Sequence, residues 1–280
     1  MRSCKILGIL NVTPDSFFDG GKYIDLEGAL AHAERLVREG ADIIEIGGES
    51  NRPGSCPISL EEERERVVPV LKALQVLSHP LAIDTSKPAI AEEALQLGIQ
   101  LLNNSIFSFE DDRMVRLAVE YNIDICVMHM QNSPFSMQKK PQYPDGVVPH
   151  VLEWFKQKCD FLISSGVDPS KIIIDPGIGF GKTTEHNIEI LASLQTFKKL
   201  GFRVLLGSSR KSFLKNILKK PVSKLLPATL TINTMSILGG ADMIRVHDVE
   251  AHSDVIEVLQ YIKNQNLMST YTNYDSRIVL

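Results

Sequence analysis

A chain of 280 residues suits one α/β barrel and is also long enough for two smaller domains, so length alone excludes little. Hydrophobic residues at 44% and charged residues at 23% are the balance of a soluble globular protein, and a net charge of −4 gives no general pull toward nucleic acid or an anionic membrane. The four cysteines, Cys4, Cys56, Cys126 and Cys159, show no CxxC pair or metal spacing, and no apolar stretch approaches a membrane span, which together suit a reduced, cytoplasmic protein.

Short runs rich in Ile, Val and Leu alternate along the chain with longer amphipathic segments. The first run, Lys5–Leu10, is too short for a signal-peptide core and meets Asn11 and Asp15 at once. Asp25 is placed to cap a helix over 25–39, whose Leu26, Leu30, Ala33 and Val37 recur at helical spacing. Gly40 sits where a left-handed helix end is wanted. After a strand at Asp42–Ile46, Ser59 and Glu62 predict a capping box for a helix over 59–75. Pro69 predicts a kink or early stop in it. A strand at Leu81–Asp84 precedes a helix over 88–97 with Pro88 in its first turn. The remaining strands are expected at Leu101–Asn104, Asp124–Met128, Lys171–Asp175, Arg203–Gly207 and Met243–Val246. Their helices are expected over 110–121, 148–165, 186–199, 223–239 and 250–263.

Strict βα alternation implies a parallel sheet with helices outside it, and eight units predict a closed (β/α)8 TIM barrel rather than an open sheet. The expected organisation is one domain over 1–263 and a polar tail over 264–280. Two long loops, 11–24 and 131–147, have the character of lids or binding loops.

Polar residues collect where each strand ends. Asn11 and Asp15 follow the first; Glu45, Glu49, Ser50 and Arg52 end or follow the second. Asp84, then Asn103 and Asn104, end the next two. His129 and Gln131, Asp175 and Lys182, then Ser209, Arg210 and Lys211, and finally Arg245, His247 and Asp248 complete the series. In a barrel these tips open onto one face, where active sites of this fold lie. The basic set Arg52, Lys182, Lys211, Arg245 and His247 predicts an anionic substrate, and Ser208–Ser212 opens a helix at the usual phosphate position. The acid and amide set Asp84, Asn103 and Asp175, with Lys211 nearby, suits the edge of a nitrogen-rich ring. The segment from Asp175 to Thr183 fails both the Walker A and the GxGxxG spacing, which excludes ATPase and Rossmann readings. Its glycines are expected to let backbone approach a flat ligand.

Seven ordered motifs over about residues 5–250 resemble the dihydropteroate synthase family. They are Asn11–Phe17 with Gly20 and Gly21, Gly47–Gly54, Asp84–Pro88, Met128–Gln131, Asp175–Gly177, Ser209–Ser212 and Arg245–Val249. The resemblance implies a transferase that joins 6-hydroxymethyl-7,8-dihydropterin diphosphate to p-aminobenzoate in folate biosynthesis. It implies that Asp84, Asn103, Asp175 and Lys211 hold the pterin, with Met128 or Met130 packing on its ring. It assigns diphosphate to Asn11, Arg52, Arg245 and His247, with Asn11 also meeting Mg2+, and Asn51 is able to hydrogen-bond the same group in place of the family's Thr. The loop carrying Asp15, Ser16 and Phe17 would enclose p-aminobenzoate together with the second loop and Ser212. Asp15, Arg52, Lys211, Arg245 and His247 are the residues expected to carry catalysis. A homodimer is implied, no nucleic acid or membrane partner is, and association or fusion with another folate-pathway enzyme is left open.

Three positions depart from the family pattern: Glu45 replaces the usual Asp, Asn51 the usual Thr, and Asn104 the usual Asp, with Phe107 just beyond. Members also often begin with a short hairpin that has no counterpart before Lys5. Two alternatives stand beside the synthase. One is a methyltetrahydrofolate–corrinoid methyltransferase, which has no need of Ser209–Lys211 or Arg245–His247. The other is a pterin-binding subunit that has lost turnover.

Overall fold

The computed structural model describes residues 4–13, 18–19, 23–50, 54–104 and 112–265. Its frame is a closed barrel of eight parallel strands: β1 (Lys5–Asn11), β4 (Ile43–Gly47), β5 (Leu81–Asp84), β6 (Leu101–Asn104), β7 (Asp124–Met128), β8 (Ile172–Asp175), β9 (Arg203–Leu206) and β10 (Met243–Val246). Neighbours in the barrel are neighbours in sequence, and β10 closes on β1 through the pairs from Lys5↔Met243 to Gly8↔Val246. A small antiparallel pair, β2 (Phe18–Asp19) with β3 (Tyr23–Ile24), stands in the first loop.

The helices outside the barrel are α1 (Leu26–Glu39), α2 (Leu60–Leu74), α3 (Pro88–Gln96), α4 (Asp112–Glu120), α5 (Val147–Ser164), α6 (Thr184–Ala192), α7 (Leu194–Lys198), α8 (Ser212–Leu218), α9 (Leu226–Leu238) and α10 (Val249–Asn264). Local chemistry sets their ends. Asp25 Oδ1 accepts from Gly28 N–H at 2.8 Å, and Gly40 closes α1 at φ 98°.

Three local expectations change. Ser59 caps α2 by accepting from Glu62 N–H, but the Glu62 carboxylate turns to Arg66, so the capping box is only half made. Helix α2 runs on through Pro69, because Val67, Val70, Leu71 and Leu74 are all buried and hold both sides of it against the core. The helix expected over 186–199 is two, α6 and α7, meeting at Ser193. The last described helix reaches Asn264, and residues 266–280 of the expected tail lie outside the described residues.

Strands buried on both faces are apolar on both. One face packs under the helices in the main core. The other supplies one residue per strand to a plug inside the barrel: Leu7, Ile43, Ala82, Leu101, Cys126, Ile173, Leu205 and Met243.

Candidate active site

Side chains along a strand alternate between faces, so the residues two beyond the plug also point inward. They are Ile9, Glu45, Asp84, Asn103, Met128, Asp175, Gly207 and Arg245. An apolar plug is thus capped by a layer that holds three carboxylates, an amide and a guanidinium. Glu45, Asp84, Asn103 and Asp175 are each buried. Register sets Asp84 level with Asn103 and Met128 level with Asp175, while Glu45 lies level with Ala82, one pleat lower.

Arg245 ties the layer together. It is hydrogen-bonded to Glu45 Oε1 and donates to Asp84 Oδ2 at 3.0 Å. Glu45 Oε2 also accepts from Asn103 Nδ2 at 2.7 Å. Burial pushes the Glu45 carboxyl up, against the pull of the Arg245 charge. Burial alone would lower Arg245, but the Glu45 and Asp84 charges outweigh it and push its pKa up. Asp175 is likewise raised by burial, opposed by the Gly177 N–H that donates to its Oδ1 at 2.8 Å and by the charges of Lys211, Arg245 and Lys182. Asn103 Oδ1 is buried and has no hydrogen-bond partner among the described residues. Such an acceptor costs stability unless a ligand donates to it.

Beside this layer stands an apolar wall of Met128, Met137 and Phe180, with Met130 packed on it. Lys211 Nζ lies over the Phe180 ring, 3.9 Å from its centroid. Phe180 carried no signal in the sequence, where it sits among glycines. His247 Nδ1 and Ser209 Oγ are 3.0 Å apart, which joins the loops after β9 and β10. Arg210 and Asp248 pair across the same two loops. Ser212 is the first residue of α8 and lines a cleft of about 430 Å³ with Gln138, Thr183 and Asn216. Asn11 ends β1 half-buried; its Oδ1 lies 3.8 Å from where a Cβ would stand on Gly47.

Three expectations are corrected. Lys182 is not part of the basic rim. It is buried beneath the loop after β8, and its Nζ donates to His129 Nδ1 at 2.9 Å, His129 O at 3.2 Å and Phe180 O at 3.0 Å. Burial lowers its pKa to about 7, and burial with Lys182 and His150 nearby holds His129 well below its usual value. Nor do the glycines after Asp175 all make room for a ligand. A Cβ on Gly177, at φ 69°, would stand 1.9 Å from His129 O, so that glycine admits the neighbouring loop of this chain. Glu49 also leaves the rim, pairing with Lys87, which holds Glu63 at 2.5 Å as well. The expected site residues Asp15, Phe17, Asn51 and Arg52, with Ser16 and Phe107, lie outside the described residues, as does the Asn104 side chain.

Of the expected set, Asp84, Asn103, Met128, Asp175 and Arg245 meet in one inward layer, with Lys211, His247, Ser212 and Asn11 on the loops and strand tip around it. The Pterin binding enzyme family model matches residues 7–247. The dihydropteroate synthase of Synechocystis sp. is 42% identical over 255 residues, covering 90% of this chain and 88% of that one. The crystal structure of the Clostridium difficile dihydropteroate synthase in the presence of pteroic acid superposes with a TM-score of 0.87 at 40% identity, covering 93% of this chain and 97% of that one. That of the Xanthomonas albilineans dihydropteroate synthase with 4-aminobenzoic acid gives 0.85 at 33% identity, covering 93% of each.

Proposed function

The chain belongs to the dihydropteroate synthase family of pterin-binding enzymes, and from that premise we propose how its own residues carry the reaction. It is a transferase of folate biosynthesis. It condenses 6-hydroxymethyl-7,8-dihydropterin diphosphate with p-aminobenzoate to give 7,8-dihydropteroate and diphosphate. The methylene C–O bond breaks and its electron pair leaves with diphosphate. The aniline nitrogen forms the new C–N bond and then releases a proton. No protein nucleophile takes part; the chain supplies alignment and charge.

One observation carries the pterin assignment. The inward layer is rich in acceptors, and one of them, Asn103 Oδ1, has no donor among the described residues. An amino-pyrimidinone edge presents N–H donors that match Asp84, Asn103 and Asp175. Met128 and the neighbouring apolar wall take the face of the ring. Lys211, beside Asp175 and over Phe180, serves the ring on one side and p-aminobenzoate on the other. Ser212 at the adjoining cleft suits the p-aminobenzoate end. Arg245 and His247, with Asn51 and Arg52, are assigned to the diphosphate and the departing charge, and the loop with Asp15 and Phe17 to the p-aminobenzoate end. For Arg245, its bonds to Glu45 and Asp84 in the inward layer support a role beside the ring as well.

Asn11 fits a Mg2+ ligand. It offers one neutral oxygen at the barrel mouth, and among the described residues no His, Cys, Asp and Glu cluster forms a cage for a cation. Substrate phosphates and water would supply the other ligands. When bound it would neutralise charge on the departing diphosphate.

We also assign the chain to the cytoplasm, as a homodimer. All four cysteines are unpaired, and no described helix is long and apolar enough to cross a membrane. Met235 and Leu238 on α9 and Val258 and Tyr261 on α10 leave apolar surface for a second copy. The decisive experiment is turnover with both substrates and Mg2+. Equal yields of dihydropteroate and diphosphate are expected. Pterin binding without product would replace this reading with a binding subunit, and methyl transfer from methyltetrahydrofolate would replace it with a methyltransferase.

A further inference from the structure

The reaction as described leaves one buried ionisable group of the inward layer without a task. Glu45 is 0% exposed, so it meets neither solvent nor the mouth of the barrel. Both its oxygens are committed, Oε1 to Arg245 and Oε2 to Asn103 Nδ2. A carboxylate held by a guanidinium only accepts hydrogen bonds. The end of the Asn103 amide turned toward it must therefore be the NH2. That leaves Oδ1 on the other side, buried and without a partner among the described residues. Had Asn103 faced a donor instead, the amide would turn over and offer NH2 to a ligand. The polarity of one hydrogen bond to the ligand is thus decided by a residue that the ligand does not touch.

We propose that Glu45 is a positioning residue that sets the hydrogen-bond polarity of the pterin pocket by fixing the Asn103 amide with its oxygen toward the ligand. The pocket then selects heterocycles with an N–H at that position and rejects those with a lone pair there. This rests on the pterin reading above. It also gives Glu45 its own reason to be anionic: Arg245 compensates its buried charge, which on its own would be strongly unfavourable.

The test uses 6-hydroxymethyl-7,8-dihydropterin, which lacks the diphosphate, in a titration by calorimetry, alongside steady-state kinetics with the diphosphate. Glu45→Gln keeps the shape and introduces an NH2 able to turn the Asn103 amide over. The expected result is a rise of about 10- to 100-fold in the pterin dissociation constant and in KM for the pterin diphosphate. KM for p-aminobenzoate should move much less. In an Asn103→Ala background the same substitution should cost at least about fivefold less, because the amide it acts through is gone. Glu45→Asp retains the acceptor and should fall between wild type and Glu45→Gln. It also carries the same cycle should Glu45→Gln not fold. Wild-type pterin affinity in Glu45→Gln, or an equal loss in both backgrounds, overturns the proposal. A wild-type protein that neither binds the pterin nor turns over would fail one step earlier, at the pterin reading itself.

Discussion

Two buried polar clusters lie at the same end of this barrel, and they differ in what they leave over. Around Lys182 the chain meets its own demands. The ammonium donates to His129 Nδ1 and to two carbonyl oxygens, and neutral His129 is the acceptor it needs. Around Asp175 the demands are met in part. Glu45, Asp84 and Asp175 share the charges of Arg245 and Lys211, and Asn103 Oδ1 has no donor among the described residues. Burial and a shifted pKa are common to both clusters, so neither identifies a site. What sets the second apart is position together with the unmet acceptor: Asn103 Oδ1 stands in the inward layer at the strand ends, whereas the likewise unpartnered Glu63 Oε1 lies in the Lys87 ion pair outside it.

The largest effect that follows falls on Asp175. Asp175→Ala removes an anion that is set to receive two charge-assisted hydrogen bonds from the ring. A loss of about 1,000-fold in kcat/KM is expected. Stability should fall less than in Lys182→Met: the Gly177 N–H loses its acceptor and Lys211, Arg245 and Lys182 lose a nearby anion, but the cost of burying the carboxylate is removed with it. Lys182→Met should give the reverse pattern. Three acceptors lose their donor, at about 1 kcal/mol each, so a loss of about 3 kcal/mol in denaturant unfolding is expected. Its kcat/KM should stay far nearer wild type than that of Asp175→Ala. Kinetics and unfolding on both variants decide the matter. If the two patterns are exchanged, the clusters have been assigned the wrong way round.

The same contrast explains what could be read from the amino acids alone. The barrel was legible because eight βα repeats leave few topologies. Asp84, Asn103, Asp175 and Arg245 were legible because each stands at a strand end, where alternation carries inward-pointing order up from the plug. Lys182 was misread because it lies seven residues past Asp175, in a loop where alternation no longer applies. Glu45 was visible as one of the polar residues at the end of the second strand and as a departure from the family pattern. Its role needs Asn103 and Arg245, which are 58 and 200 residues away along the chain and meet it only when the barrel closes. Phe180 was hidden by its glycine neighbours, and only the fold brings Lys211 over its ring.

Lys211 sharpens the boundary between the clusters, because its charge acts on both Asp175 and Lys182. Lys211→Ala should raise KM for the pterin diphosphate by about 10- to 100-fold, as one charged contact is lost. Stability should change little. Unchanged pterin affinity, measured by the same titration, would remove Lys211 from the site.

The most gradual expected effect is a dependence on pH, and it belongs to the brace. Burial lowers Lys182 from the usual lysine value of about 10.5 to about 7. Above pH 7 the folded chain therefore gives up a proton that the unfolded chain keeps until about 10.5. Where the unfolded state binds more protons, stability rises with pH. Below pH 7 both states hold the proton, and the folded state bears the full cost of a buried ammonium. Between pH 7.5 and 9.5 wild type should gain on Lys182→Met by up to about 1.4 kcal/mol per pH unit, before other groups titrate. Unfolding midpoints of the two proteins across that range give the slope directly. A flat difference would mean that the three acceptors keep Lys182 charged throughout, making the brace an ion held by neutral dipoles.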